Sequence, residues 1–155
     1  MATLTRSGYL GAAVTLAWTG GQSLNSLANN EWTNLSDTLT NATDKRLFAD
    51  VELILASAAF SGATSGIEVY VVPVPDGTNA PTWVGDVTTD QTVNQNYLVG
   101  VVATTGTTSA QRLVLRDVEI PNGVYALGFR SRAGTSVTLA ASGNEAKLYF
   151  HSVAS

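Results

Sequence analysis

Hydrophobic and polar residues alternate one by one along most of this chain, which is the period of a half-buried β-strand and not of a helix. In RLFADVELIL, residues 46–55, Leu47, Ala49, Val51, Leu53 and Leu55 fall on one side, against Phe48, Asp50, Glu52 and Ile54. That pattern predicts a strand with one buried face. GIEVYVVPVP, residues 66–75, sets Ile67, Val69 and Val71 against Glu68, Tyr70 and Val72. Pro73 and Pro75 lack the amide proton a ladder needs, so this end is expected at an edge or outside the sheet.

Similar alternation predicts strands at 96–104, 110–120, 123–132 and 145–152, with weaker ones at 7–18 and 31–36 and a short pairing at 135–140. Pro121-Asn122-Gly123, between two strong strands, reads as a hairpin turn because Asn and Gly tolerate left-handed backbone. The helical hint is SLNSLANNEW, residues 23–32, one short turn with Ser23 as N-cap ahead of Leu24 and Leu27. Seven or eight short strands separated by Gly, Asn and Thr turns predict an all-β fold. The expected architecture is a single-domain antiparallel β-sandwich, jelly-roll-like, over residues 1–155, with 1–20 forming either an arm or the first strand.

Composition narrows the function. Charged residues make up only 13% of the chain, about half the usual share, while 45% are hydrophobic. A surface so poor in charge is expected to be covered in part, by copies of itself or by a partner. The net charge is −4 and the nearest grouping of cations is Arg130 with Arg132, so nucleic acid is not an expected partner. With no cysteine there is neither a disulfide nor a thiolate metal site. No run approaches the roughly 18 apolar residues of a membrane span. YLGAAVTLAW, residues 9–18, lacks a following small-x-small cleavage site, so the chain is expected to be soluble and unprocessed.

Candidate chemistry is sparse. The only histidine, His151, alternates onto the face of Lys147 and Tyr149, and no G-x-S-x-G elbow marks a nucleophile for it, so a structural or solvent-facing role is expected. Asp50 and Glu52 point the same way from one strand, whereas glycoside hydrolysis needs carboxylates on opposite sides of a bond. Asp76, Asn79, Asp86 and Asp90 could offer oxygens to calcium, but match no EF-hand spacing, and Asp76-Gly77 is first of all a turn. These residues predict no enzyme, no cofactor and no metal. Trp83, with Asn79 and Asp86 and aided by Trp32 or Tyr97, could stack a sugar; the favoured alternative is that Trp83 folds back and caps the core.

Four stretches together resemble a known family. EWTNLSDTLTNATDKRLFADVELILAS, IEVYVVPVPDGTNAPTW, QRLVLRDVEIPNGVYALGFRSRAG and LAASGNEAKLYFHS are similar to segments of small structural proteins encoded near the capsid genes of tailed bacteriophages. The similarity spans most of residues 31–152 and lies in turns and strands, with Ala80 and Asn122 departing from the usual residues. The resemblance implies a non-enzymatic virion protein, a decoration or cement protein on the outer capsid surface, made in the host cytoplasm. Its implied partners are the major capsid protein and its own copies, with a trimer favoured. On that basis the interface candidates are Ala2, Leu4, Arg6 and Tyr9 of the N-terminal arm, Asp76, Asn79 and Trp83 of the loop, and Arg130 and Arg132. The alternative is a receptor- or carbohydrate-binding module of a tail, baseplate or head fibre, for which glycan is a candidate ligand.

Overall fold

Strand alternation becomes sandwich geometry when two sheets share one apolar layer. The computed structural model describes residues 5–43, 46–56, 65–105, 109–132 and 137–154, and the side chains of these except at 5–8, 93 and 152–154. Its strands are β1 (Thr5–Tyr9), β2 (Val14–Thr15), β3 (Leu39–Thr40), β4 (Phe48–Leu55), β5 (Gly66–Val74), β6 (Leu98–Ala103), β7 (Gln111–Glu119), β8 (Val124–Arg132) and β9 (Glu145–Ala154), with one helical turn, α1 (Thr92–Gln95). All pairings are antiparallel.

The first sheet runs β1-β9-β4-β7, with β2 also on β9, and the second runs β3-β8-β5-β6. β1 and β2 lie along the same strand, pairing Tyr9 with His151 and Val14 with Leu148. Gly11, at φ +78°, lies in the interruption between them. Counted as one strand, they make eight, whose orders become 1-8-3-6 and 2-7-4-5. That is the wrapping of a jelly roll.

The core is the side that alternation selected. Ala49, Val51, Leu53 and Leu55 of β4 and Leu148 and Phe150 of β9 meet Ile67, Val69 and Val71 of β5 and Leu127 and Phe129 of β8. Each fully buried aliphatic side chain contributes about 1.5–3 kcal/mol. Leu47 departs from this set: it precedes β4 and is 58% exposed, although its carbonyl accepts the Ile120 amide.

Four local expectations are corrected. The 121–123 turn joins β7 of one sheet to β8 of the other, so it is an arch between sheets and not a hairpin. Asn41 seals it, donating Nδ2–H to the Pro121 carbonyl and its backbone N–H to that of Gly123. Asn and Gly specify the local bend, but not whether the flanking strands then pair. Residues 23–32 form no helix, because Ser26 and Asn30 take positive φ and their amides bond to Ala140 and Ser131. Leu24 and Leu27 are buried even so.

Residues 31–36 run beside β8 without forming a regular strand. The buried hydroxyls of Thr33 and Ser36 accept from the amides of Phe129 and Leu127, supplying bonds that a regular neighbour strand would supply. Finally, β5 is an inner strand, and Pro73 still pairs with Tyr125 of β8. Pairing with β6 stops at Tyr70, however, so the proline lies where β5 has lost one neighbour.

Candidate functional site

Alternation puts Glu68, Tyr70 and Val72 on the outer side of the second sheet, yet Tyr70 and Val72 are fully buried. The long β5–β6 connection folds back over them. Asn94, itself buried, pins this cover by exchanging hydrogen bonds with the backbone of Val84. Trp83 donates its indole N–H to the Thr33 carbonyl at 2.9 Å and packs edge-on against Trp32 and Tyr70. Gly128 is what lets the ring lie down, since a Cβ there would overlap it. Trp83 is therefore a cap, placed on the outside of the second sheet.

Arg130, 1% exposed, lies within this cover with its guanidinium carbon 4.7 Å above the Trp32 ring. Its Nη2 pairs with Asp90 at 2.5 Å, its Nε donates to the Asn30 carbonyl, and Glu68 is 3.9 Å from Nη1. The Arg130 hydrogen bond and charge hold the Asp90 carboxyl below the usual carboxylate range. Arg132 pairs with Glu68 at 3.0 Å and donates to the Asn30 side chain. Burial, then the hydrogen bond donated to Glu68, push the Tyr70 hydroxyl pKa far up. Arg130, named from the sequence as an interface candidate, is thus engaged within its own fold.

Asp76 and Asn79 are exposed and close a local turn. Asp76 accepts from the amides of Thr78 and Asn79 and from the Asn79 side chain, the last chiefly lowering its pKa. Trp83 spends its indole N–H on the Thr33 carbonyl and its ring on Trp32 and Tyr70, while Asp76 and Asn79 bond to each other. Ala2 and Leu4 lie outside the described residues. Arg6 sits on β1 opposite Val153, so residues 5–9 form a first strand within the sheet. Tyr9 closes that strand and leads to the second region.

On the outer face of the first sheet, β1, β9, β4 and β7 bring polar side chains into one group. The Tyr9 hydroxyl donates to Asp50 Oδ2 at 2.8 Å, and the Asp117 amide donates to Asp50 Oδ1 at 3.0 Å. His151 Nε2 lies 3.3 Å from Asp50 Oδ1 and 3.3 Å from Asp117 Oδ1. Its ring stacks on Phe48 at 6.1 Å. Asp50 and His151 are each 1% exposed, whereas the Asp117 side chain is 61% exposed. His151 is therefore buried and not solvent-facing.

Beside this group, Glu52 takes Arg112 Nε at 2.7 Å and the Tyr149 hydroxyl at 2.9 Å. That bond to Glu52 is the main cause of the raised Tyr149 pKa. Tyr9, Asp50, Glu52, Arg112, Val114 and Tyr149 line a hollow of about 250 Å³. The same-side placement of Asp50 and Glu52 was legible in the sequence, but their burial was not.

Asp117 was not singled out from the sequence, and the reason is geometric. Ala49 pairs with Val118 and Val51 with Leu115, so Arg116 and Asp117 share the place opposite Asp50. This β-bulge puts Asp117 at φ +56° and turns a side chain that strict alternation would not aim here. A bulge leaves no mark on a hydrophobic pattern.

No family model, curated protein or solved structure matches this chain.

Proposed function

We propose that this chain is a non-enzymatic structural protein of a phage virion, a decoration or cement protein that binds the outer capsid surface and reinforces the shell. Its partners on this reading are the major capsid protein and its own copies, as a homo-oligomer with a trimer favoured. The sequence resemblance over residues 31–152 motivates the reading.

The observation that carries it onto the molecule is an apolar rim. β6 and β7 end their respective sheets and come together where Leu115 lies against Gly100. Along β6, Leu98, Val99 and Val101 are 40–54% exposed, in a chain with few charges. Such a rim suits a protein that is covered in its working state. Two strands that end their sheets suit strand-to-strand docking. The reinforcing action is mechanical: each copy bridges neighbouring subunits weakly, and the summed contacts resist outward pressure. This rim adds to the contacts named from the sequence, and Trp83 acts through the cover it anchors.

Quantitative mass spectrometry of purified particles tests the reading by the copy number of this chain relative to the major capsid protein. The expected result is hundreds of copies per particle. A handful would favour the alternative receptor- or carbohydrate-binding module of a tail, baseplate or head fibre. Absence from particles would overturn both.

A further inference from the structure

The geometry points to a divalent metal site at Asp50, Asp117 and His151, of the kind that takes Zn²⁺, and independent of any virion role. One donor atom from each of the three residues lies within 4.8 Å of the others. The two distances from His151 Nε2 decide between explanations. Both are 3.3 Å. A charge-assisted hydrogen bond from imidazolium to carboxylate closes to about 2.7–2.9 Å, so 3.3 Å twice over is long for an ion pair. A neutral imidazole nitrogen carries either one proton or one lone pair. As a donor it serves one carboxylate well, and as a lone pair it is repelled by both.

A metal ion resolves that geometry. With bonds of about 2.0–2.1 Å to nitrogen and oxygen, the ligand atoms of a tetrahedral site stand about 3.3–3.4 Å apart. Both distances from His151 Nε2 match that spacing, and the third, between the two carboxylates, lies within 4.8 Å. One imidazole with two carboxylates is a donor set for Zn²⁺, with Mn²⁺ binding more weakly. The surroundings fit as well. Asp50 Oδ2 is held by the Tyr9 hydroxyl and Oδ1 by the Asp117 amide, the kind of outer support that fixes a ligating carboxylate. Phe48 stacks on the imidazole and fixes its plane. Because Asp117 is largely exposed, solvent reaches the site from its side and can supply the remaining ligand.

The ligands come from β4, β7 and β9, three adjacent strands of one sheet. An ion there staples the sheet across its strands in a chain with no cysteine to do so. It would also lock the bulge that presents Asp117.

The test uses the full chain, stripped with chelator, and titrated with ZnCl₂ by calorimetry alongside thermal unfolding. One equivalent is expected to bind with a micromolar Kd. At roughly a hundredfold excess over Kd the melting temperature should rise by about 8 °C. Asp117→Asn, on an exposed side chain whose left-handed backbone Asn tolerates, should keep the fold by circular dichroism and weaken binding at least tenfold. Glu145→Gln, remote from the cluster, should leave binding unchanged. Absence of saturable binding with Zn²⁺ and Mn²⁺ up to millimolar concentration would overturn the proposal. So would binding that both Asp117→Asn and His151→Gln leave intact.

Discussion

The two outer faces of this sandwich solve the same problem in opposite ways. Each sheet carries buried charge on the side away from the common core. On the second sheet the charge is Arg130, and the chain returns over it twice, through residues 28–36 and through the β5–β6 connection. Asp90, Glu68, the Asn30 carbonyl and the Trp32 ring surround one guanidinium. On the first sheet the charge is Asp50, and its described partners come from neighbouring strands, with one of them, Asp117, open to water. The first arrangement covers its guanidinium and meets it with opposite charge, from Glu68 beneath the cover and from Asp90 at its solvent-facing rim. The second gathers donors of like charge around one imidazole and keeps a way in. A covered cation matched by opposite charge stabilises or specifies a fold, whereas convergent donors beside solvent are what a ligand needs.

The largest test of this difference is Trp32→Ala. Trp32 is fully buried between Arg130, Tyr70 and Trp83, so its removal opens a cavity and strips the aromatic face from a buried cation. A loss of about 3–5 kcal/mol is expected, read from the midpoint of urea unfolding. A loss below about 1 kcal/mol would mean that the cover is not closed.

Alkaline pH gives a smaller, graded test. The folded pKa of Tyr70 is raised above its unfolded value of about 10, chiefly by burial, and burial raises that of Tyr125 as well. A raised folded pKa means that the folded state keeps a proton which the unfolded chain releases. The associated stability is complete below pH about 10 and is lost as pH rises toward the folded pKa. Each fully protected tyrosine then contributes at most about 1.4 kcal/mol of loss per pH unit. Urea midpoints taken between pH 8 and 11 should fall, and Tyr70→Phe should flatten that fall. Tyr149→Phe, on the open face, should flatten it much less. Equal effects would erase the distinction between the faces.

The smallest expected effect is that of Asp90→Asn. Asp90 is 79% exposed and its amide replacement still accepts from Arg130, so the midpoint should move by no more than about a tenth of the Trp32→Ala change. A larger shift would show that Arg130 depends on this carboxylate more than on Trp32.

How much was legible in advance can be followed residue by residue. The single alternation of β4, β5, β8 and β9 identifies their core faces because side chains leave a strand on alternate sides whatever lies around it. All-β class and a jelly-roll-like sandwich follow from such strands and their turn residues. The paired orientation of Asp50 and Glu52, and the shared face of His151 and Tyr149, follow from the same period. Arg130 offered no such signal. Its position on the outer side of β8 fits a solvent-facing cation as well as a buried one, and only the returning loop decides between them.

The chain by itself determined which residues face each other across a strand, where the backbone turns, and that no cysteine would fasten it. These are local consequences of stereochemistry and of apolar burial. The tertiary structure alone decided that the 121–123 turn bridges two sheets, that Trp83 lies down upon Gly128, and that a bulge swings Asp117 toward His151. Each of those depends on contacts between residues far apart in the chain, whose energies exist only once both partners are in place.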